Sequence, residues 1–208
     1  MIRTGLLGGS FNPAHEGHRR ITLAAIRALE LDEVWWLVSP GNPLKPVAGM
    51  APLPVRLASA RGMARGAPIR ATAIEARLGT RYTVDEISTL IARYPRRRFI
   101  WLMGADNLQQ FHRWRDWRGI ARKVPIAVIG RPGYDSTARR APAMSWLRRF
   151  VRPAVHAADG TGVRLPSLGQ RRVRPDPSSA TARRGRDPDW YAHILTQALR
   201  DPLTRRAV

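Results

Sequence analysis

Cysteine is absent from the 208 residues, which excludes a disulfide framework, a thiolate metal site and a thiol nucleophile. Lysine is almost absent too, since only Lys45 and Lys123 stand among the 36 basic residues. Acidic residues number 15, leaving a formal net charge of +21 carried almost wholly by arginine. Such a field attracts polyanions, whether nucleic acid, ATP or a mononucleotide, but does not choose among them. An arginine-biased, solvated surface explains most of it without any partner. No apolar run approaches the roughly 20 residues of a membrane span, and the N-terminus lacks the apolar core of a signal peptide. A cytoplasmic protein with no membrane partner is expected. No internal repeat and no clear interdomain linker appear, so length and 44% apolar content point to one domain with a small appendage.

What is present is organised around Gly8-Gly9-Ser10-Phe11-Asn12-Pro13-Ala14-His15-Glu16-Gly17-His18. Leu6 and Leu7 run into the paired glycines, and a strongly periodic apolar stretch follows from Ile21 to Leu29. That reads as strand, loop and helix. In an open α/β sheet the loop after the first strand faces the ligand crevice, and the following helix N-terminus attracts anions. Gly8 and Gly9 let backbone amides approach a phosphate, and His15 and His18 share one side of the helix start. Two histidines could also form half of a zinc site, but no matching third ligand lies nearby.

The remaining pattern is α/β. Val34 to Val38 reads as a strand buried on both faces, and the proline-rich loop from Ser39 to Pro46 leaves it. Val55 to Met63 predicts a short helix and Ile69 to Ala73 a strand. Thr83-Val84-Asp85-Glu86 has the spacing of a capping box, with Val84, Ile87, Ile91 and Tyr94 as the core-facing stripe. Phe99 to Met103 and Ile126 to Ile129 are further buried strands, the first ending in Gly104-Ala105-Asp106. Trp117 is assigned to the core. Periodicity fades between residues 134 and 174, where Val163 to Leu165 can add an edge strand. Tyr191, Ile194, Leu195, Ala198 and Leu199 mark a last amphipathic helix, and Arg205 and Arg206 are expected to be disordered.

The glycine and histidine stretch resembles the signature of the nucleotidyltransferase superfamily with the His-x-Gly-His motif. Its closest branch is that of the bacterial nicotinate-nucleotide adenylyltransferases. Gly104-x-Asp106 followed by Phe-His-Arg-Trp114 is similar to a pattern of that branch, and Ser179-Ala180-Thr181-x-x-Arg184 resembles the superfamily's second phosphate motif. Arg183 stands there where the family usually has an apolar residue. The resemblance implies a Rossmann-like doubly wound parallel sheet with helices on both faces. A nucleotidyltransferase domain over residues 1–185 would carry a C-terminal helix and tail over 186–208.

The activity it implies is transfer of AMP from ATP to nicotinate mononucleotide, with magnesium held mainly by phosphate oxygens and water. By the same resemblance, His15, His18, Lys45 and Arg184 are the catalytic and triphosphate-holding residues. Gly8, Gly9, Ser10, Phe11, Ser179 and Thr181 would bind ATP. Lys45, Tyr82, Thr83, Asp106 and Trp114 would bind the pyridine mononucleotide, with Trp114 stacked on its ring. Pantetheine-phosphate or nicotinamide-mononucleotide adenylyltransferase activity, and a basic nucleic-acid-binding protein, remain as alternatives. No nucleic-acid-binding motif supports the last. A homo-oligomer is compatible with the sequence.

Overall fold

The computed structural model of the chain describes residues 1–41, 49–129, 140–151, 163–164 and 200–207. Strand β1 (Ile2–Gly9) leads to helix α1 (Glu16–Leu29), and β2 (Glu33–Val38) to α2 (Leu53–Ala64). Next come β3 (Ile69–Thr72), α3 (Ile74–Leu78), α4 (Thr83–Arg93), β4 (Arg97–Gly104) and α5 (Ala105–Gln110). A 3-10 turn over Phe111–Arg113 joins α5 to α6 (Trp117–Lys123), which precedes β5 (Ile126–Ile129). The last elements described are α7 (Met144–Leu147) and the two-residue β6 (Val163–Arg164).

The six strands are all parallel and lie in the order β3-β2-β1-β4-β5-β6. This is the doubly wound order of dinucleotide-binding folds, with the topological switch between β1 and β4. A Rossmann-like α/β fold is therefore the architecture.

Strand alternation explains how both faces are covered. In β2 every residue is buried, and Trp35 and Leu37 join one core while Val34, Trp36 and Val38 join the other. Successive side chains of a strand point to opposite faces. Ala25 and Leu29 of α1 with Leu57, Ala60 and Ala64 of α2 fill one side; α3 to α7 fill the other. The polar edge of β2 is settled by Glu33, whose carboxylate accepts from Arg70 Nε at 2.7 Å, from Trp35 Nε1 at 2.9 Å and from Arg97. A buried carboxylate is tolerable because these donors replace water.

Three expectations need correction. Thr83 does not cap α4: it is the first helical residue, Tyr82 stands at the cap position, and no side chain bonds to the first turn. Glu86 does not reach back to the cap, because its side chain is buried against a cavity. On the same helix the core face is Val84, Ile87 and Leu90, whereas Ile91 is 39% exposed. One step of about 100° carries Ile91 away from Leu90. The chain end is ordered: the buried Asp201 carboxylate accepts from Thr72 Oγ1 at 2.7 Å and Ala73 N at 2.6 Å. Arg205 N donates to Asp201 O at 2.8 Å, so Arg205 and Arg206 belong to a turn docked on β3 and α3. The anticipated helix over 191–199 and the boundary at 185/186 lie outside the described residues.

Candidate active site

Gly9 ends β1, and the chain must then turn sharply into α1. Phe11 takes a left-handed backbone conformation, φ 47°, in that turn. Its ring packs 5.1 Å from Trp36 and 4.7 Å from His18, and at 1% exposure it belongs to the core. Any contact of Phe11 with a ligand must therefore come from its backbone. Gly8 has a packing reason besides backbone approach: a Cβ there would lie 2.8 Å from the Trp101 ring.

His15 is the N-cap of α1, and its own Nδ1 accepts the Gly17 amide at 3.1 Å. His18, in the same first turn, accepts the His15 amide through Nδ1 at 3.3 Å. The two imidazoles thus form a reciprocal capping box in which both Nδ1 atoms are acceptors. The neutral tautomer that follows carries its proton on Nε2, giving each ring an N–H donor. The ring centroids are 3.9 Å apart. Trp36 Nε1 donates to Thr22 Oγ1 at 2.9 Å, and Thr22 Oγ1 donates to the His18 carbonyl at 2.7 Å. The strand β2 tryptophan thereby fixes the first turn of α1.

On the other side of the β1 tip a cavity opens at the carboxyl ends of β1, β2 and β4. Gly8, Gly9 and Ser10 form one wall, and Leu37, Ser39 and Gly41 form the next. Arg81, Tyr82, Thr83 and Glu86 come from the start of α4, Glu75 from α3, and Trp101 and Asn107 from β4 and α5. Trp114 closes it between Arg113 and Arg115. Edge-to-face contacts with Trp101, centroids 6.1 Å apart, and with Phe111, 5.4 Å apart, hold the Trp114 indole. Arg115 lies over the Tyr82 ring at 4.6 Å. The uncapped N-terminus of α4 adds backbone amides to this rim.

The sequence-predicted residues therefore divide. Gly8, Gly9, Ser10, Tyr82, Thr83 and Trp114 line the cavity, while His15 and His18 cap α1 beside it. Asp106 does not line it; the next residue of α5, Asn107, does, because one helical step turns the two side chains apart. Trp117 packs against Phe111 and Trp146 rather than the cavity. Lys45, Ser179, Thr181 and Arg184 lie outside the described residues.

Sequence reasoning missed Arg56. This guanidinium, 1% exposed, donates to the carbonyls of Ala51 at 2.8 Å, Ser10 at 2.7 Å, Ser39 at 2.7 Å and Pro40 at 3.3 Å. It ties the loops after β1 and β2 together. Burial lowers its pKa, and the Glu75 charge acts against that. A lone arginine in an alanine-rich helix carries no signal of this role. The alternation Arg113-Trp114-Arg115 could have announced a cationic rim around the indole.

Burial also raises the carboxyl of Glu75 to about 7, opposed by the Ser39 side chain and by Arg56. Glu86 is pushed well above the usual carboxylate range, first by burial and then by the Glu75 charge. The cavity thus has an arginine-rich mouth and two reluctant acids in its wall.

The cytidylyltransferase-like family pattern matches residues 6–182. A protein of Erythrobacter litoralis named as a probable nicotinate-nucleotide adenylyltransferase is 59% identical over 207 residues, covering 100% of this chain and 94% of its own. A Parvibaculum lavamentivorans protein of the same name is 58% identical over 157 residues, covering 76% of this chain and 78% of its own. Among solved structures, Plasmodium falciparum nicotinic acid mononucleotide adenylyltransferase complexed with NaAD superposes with a TM-score of 0.59 at 14% identity. That match covers 81% of this chain and 78% of the other and speaks for the fold alone. The chain belongs to the cytidylyltransferase-like family and, within it, to the nicotinate-nucleotide adenylyltransferases.

Proposed function

We propose that the protein transfers AMP from ATP to nicotinate mononucleotide, releasing pyrophosphate and forming nicotinate adenine dinucleotide. The observation that carries this reading is the two-part crevice at the β1 tip. An aromatic cavity with an arginine mouth stands on one side of Gly8-Gly9-Ser10, and a pair of imidazole donors stands on the other. A flat ring with a phosphate suits the first, and a triphosphate suits the second.

The attacking phosphate of the mononucleotide is already anionic near neutral pH, so the reaction needs no strong base and no covalent intermediate. It needs in-line positioning and compensation of charge on the α-phosphoryl group and the leaving pyrophosphate. In this reading His15 and His18 donate Nε2–H bonds to phosphate oxygens of ATP. Trp114 stacks on the pyridine ring, and Arg81, Arg113 and Arg115 attract the nucleotide's phosphate. The resemblance assigns Lys45, Ser179, Thr181 and Arg184 to the triphosphate.

Among the described residues no three His, Asp or Glu side chains gather to hold a metal ion. The resemblance implies that magnesium accompanies ATP; borne on triphosphate oxygens and water, it would neutralise phosphate charge there. Nor is any helix among the described residues long and apolar enough to cross a membrane.

The test is pyrophosphate release from ATP and magnesium with nicotinate or nicotinamide mononucleotide, with His18→Ala in parallel. Faster turnover of the acid and a dead variant are expected. Turnover of phosphopantetheine alone, or tight salt-dependent binding of nucleic acid with no turnover, would overturn the reading.

A further inference from the structure

Trp36 reaches His18 by two routes. Along the first, its indole Nε1 donates to Thr22 Oγ1 at 2.9 Å, and Thr22 Oγ1 donates to the His18 carbonyl at 2.7 Å. Along the second, its ring stacks on Phe11, with centroids 5.1 Å apart and 23° between the planes. The Phe11 ring in turn lies 4.7 Å from the His18 imidazole. All three supporting side chains are buried. One residue of β2 therefore holds both the backbone and the ring of His18.

The hydrogen-bonded route has one direction. An indole N–H can only donate, so the Thr22 oxygen must accept there and has its single proton left for His18. Hydrogen bonds linked in this way polarise one another in a dry interior. A threonine that bonds back to the carbonyl four residues earlier also bends its helix locally. Here the bend falls at the His18 peptide, in the first turn of α1.

Stability alone gives this pair little reason to be polar. Replacing both partners of a buried hydrogen bond by apolar groups of like shape is nearly neutral. What the pair adds is direction. Trp36 lies in register with Leu7 of β1 and Ala71 of β3, so the relay ties the histidine turn to a strand that is paired on both sides. A hydrogen-bond donor to a transferring phosphoryl group must be held within about 0.5 Å of its working position.

We infer that Thr22 and Trp36 are positioning residues for the transfer reaction and act through His18. The indole and the hydroxyl set the tilt of the His18 peptide, and the Phe11 ring sets the plane of the imidazole. The Nε2–H is thereby aimed before ATP arrives. Neither Thr22 nor Trp36 lines the cavity. The inference rests on the phosphate role given to His18 under the proposed function.

The experiment measures pyrophosphate release by wild type, Thr22→Val, Thr22→Ser, Trp36→Phe and the double variant Thr22→Val/Trp36→Phe, at a temperature where melts show all of them folded. Thr22→Val keeps the shape and loses both hydrogen bonds, so kcat should fall about tenfold with KM for ATP within about twofold of wild type. Thr22→Ser restores the oxygen and should bring kcat back to within about threefold of wild type. Trp36→Phe cuts the same relay and disturbs the stack, so it should be at least as slow as Thr22→Val. The double variant should be no slower than Trp36→Phe, because the two residues act along one line. Proton–nitrogen correlation spectra of the imidazoles read the geometry without turnover, with His18→Ala to assign the signals. Thr22→Val alters no aromatic ring, so displaced His18 signals beside unmoved His112 signals report a turned imidazole.

An unchanged kcat or unmoved His18 signals in Thr22→Val confine the relay to stability and overturn the inference. So does a loss in the double variant equal to the product of the two single losses, which marks independent effects. If wild type releases no pyrophosphate with either mononucleotide, the activity reading fails instead. The His18 signals of Thr22→Val then decide alone: displaced signals keep the relay, and unmoved ones overturn it.

Discussion

The Arg56 guanidinium donates to the Ser10 carbonyl at 2.7 Å, and the same nitrogen donates to the Ser39 carbonyl at 2.7 Å. One side chain from α2 thus sets the distance between the loops that follow β1 and β2. Both loops contribute to the cavity, so stability and substrate geometry depend on the same group.

Replacing Arg56 with methionine fills similar space but orphans buried carbonyls, at a cost on the order of 3 kcal/mol. For a chain of this size that lowers Tm by roughly 10 °C. KM for the mononucleotide should rise as well, because Ser10 and Ser39 lose their common anchor. Arg56→Lys restores the charge but not the planar fork, and it should recover less than half of the lost Tm. Calorimetry and steady-state kinetics on the two variants check this.

His15 has two separable tasks. Its Nδ1 caps α1, and its Nε2–H is the donor assigned to phosphate. Asparagine is a good N-cap but does not extend an imidazole N–H into the crevice. His15→Asn should keep folding stability within about 1 kcal/mol of wild type while kcat falls by roughly 10²–10³. His15→Ala should lose the same activity and, in addition, the cap. Equal activity in wild type and His15→Asn would confine the residue to a structural role.

Much of this fold was legible because its strands are buried on both faces. Val34 to Val38, Phe99 to Met103 and Ile126 to Ile129 are continuous apolar runs, which a helix-covered parallel sheet requires. The histidine motif was legible because its neighbours have turn chemistry. Errors arose where one local pattern served two purposes. Thr83-x-x-Glu86 has capping-box spacing, but Glu86 is spent on the cavity wall, and the helix begins without that cap. At the tip of β4 the helical step of α5 sets Asn107 rather than Asp106 in the cavity lining, a difference that spacing alone does not mark. Arg56 and Asp201 were invisible because their partners are main-chain groups or residues distant in sequence, which no periodicity marks.

Glu75 gives a pH dependence with a definite sign. Its carboxyl is raised from 4.5 to about 7, so between these values the folded protein binds more protons than the unfolded chain. Stability therefore falls as pH rises from about 4.5 to about 7, and this contribution is flat above that. Glu86 is displaced in the same direction, so the pair acts together. Glu75→Gln removes one titrating partner. The difference in Tm between Glu75→Gln and wild type should grow in the variant's favour across this window and then level. Melts at half-unit pH steps measure it, and a constant difference would refute the coupling.

Asp201 supplies the last prediction. Oδ2 accepts from Thr72 Oγ1 and Ala73 N, and Oδ1 accepts from Leu203 N at 2.9 Å and Thr204 N at 3.0 Å. Arg61 Nη1 donates to the Arg200 carbonyl at 2.9 Å, and Arg77 Nη2 donates to Ala207 O, so the segment is clasped from α2 and α3 as well. Thr72 ends β3 and Ala73 precedes α3, which carries Glu75 into the cavity wall. Asp201→Ala would leave three amides and a hydroxyl without their acceptor and release the turn. A loss on the order of 3 kcal/mol is expected. Hydrogen exchange should rise first at residues 200–207 and at Ala73, before the strands of the sheet respond. Asp201→Asn keeps an oxygen acceptor at one position but not two, and it should fall between wild type and Asp201→Ala. A variant with unchanged exchange at Ala73 would show that the chain end is held by Arg61 and Arg77 alone.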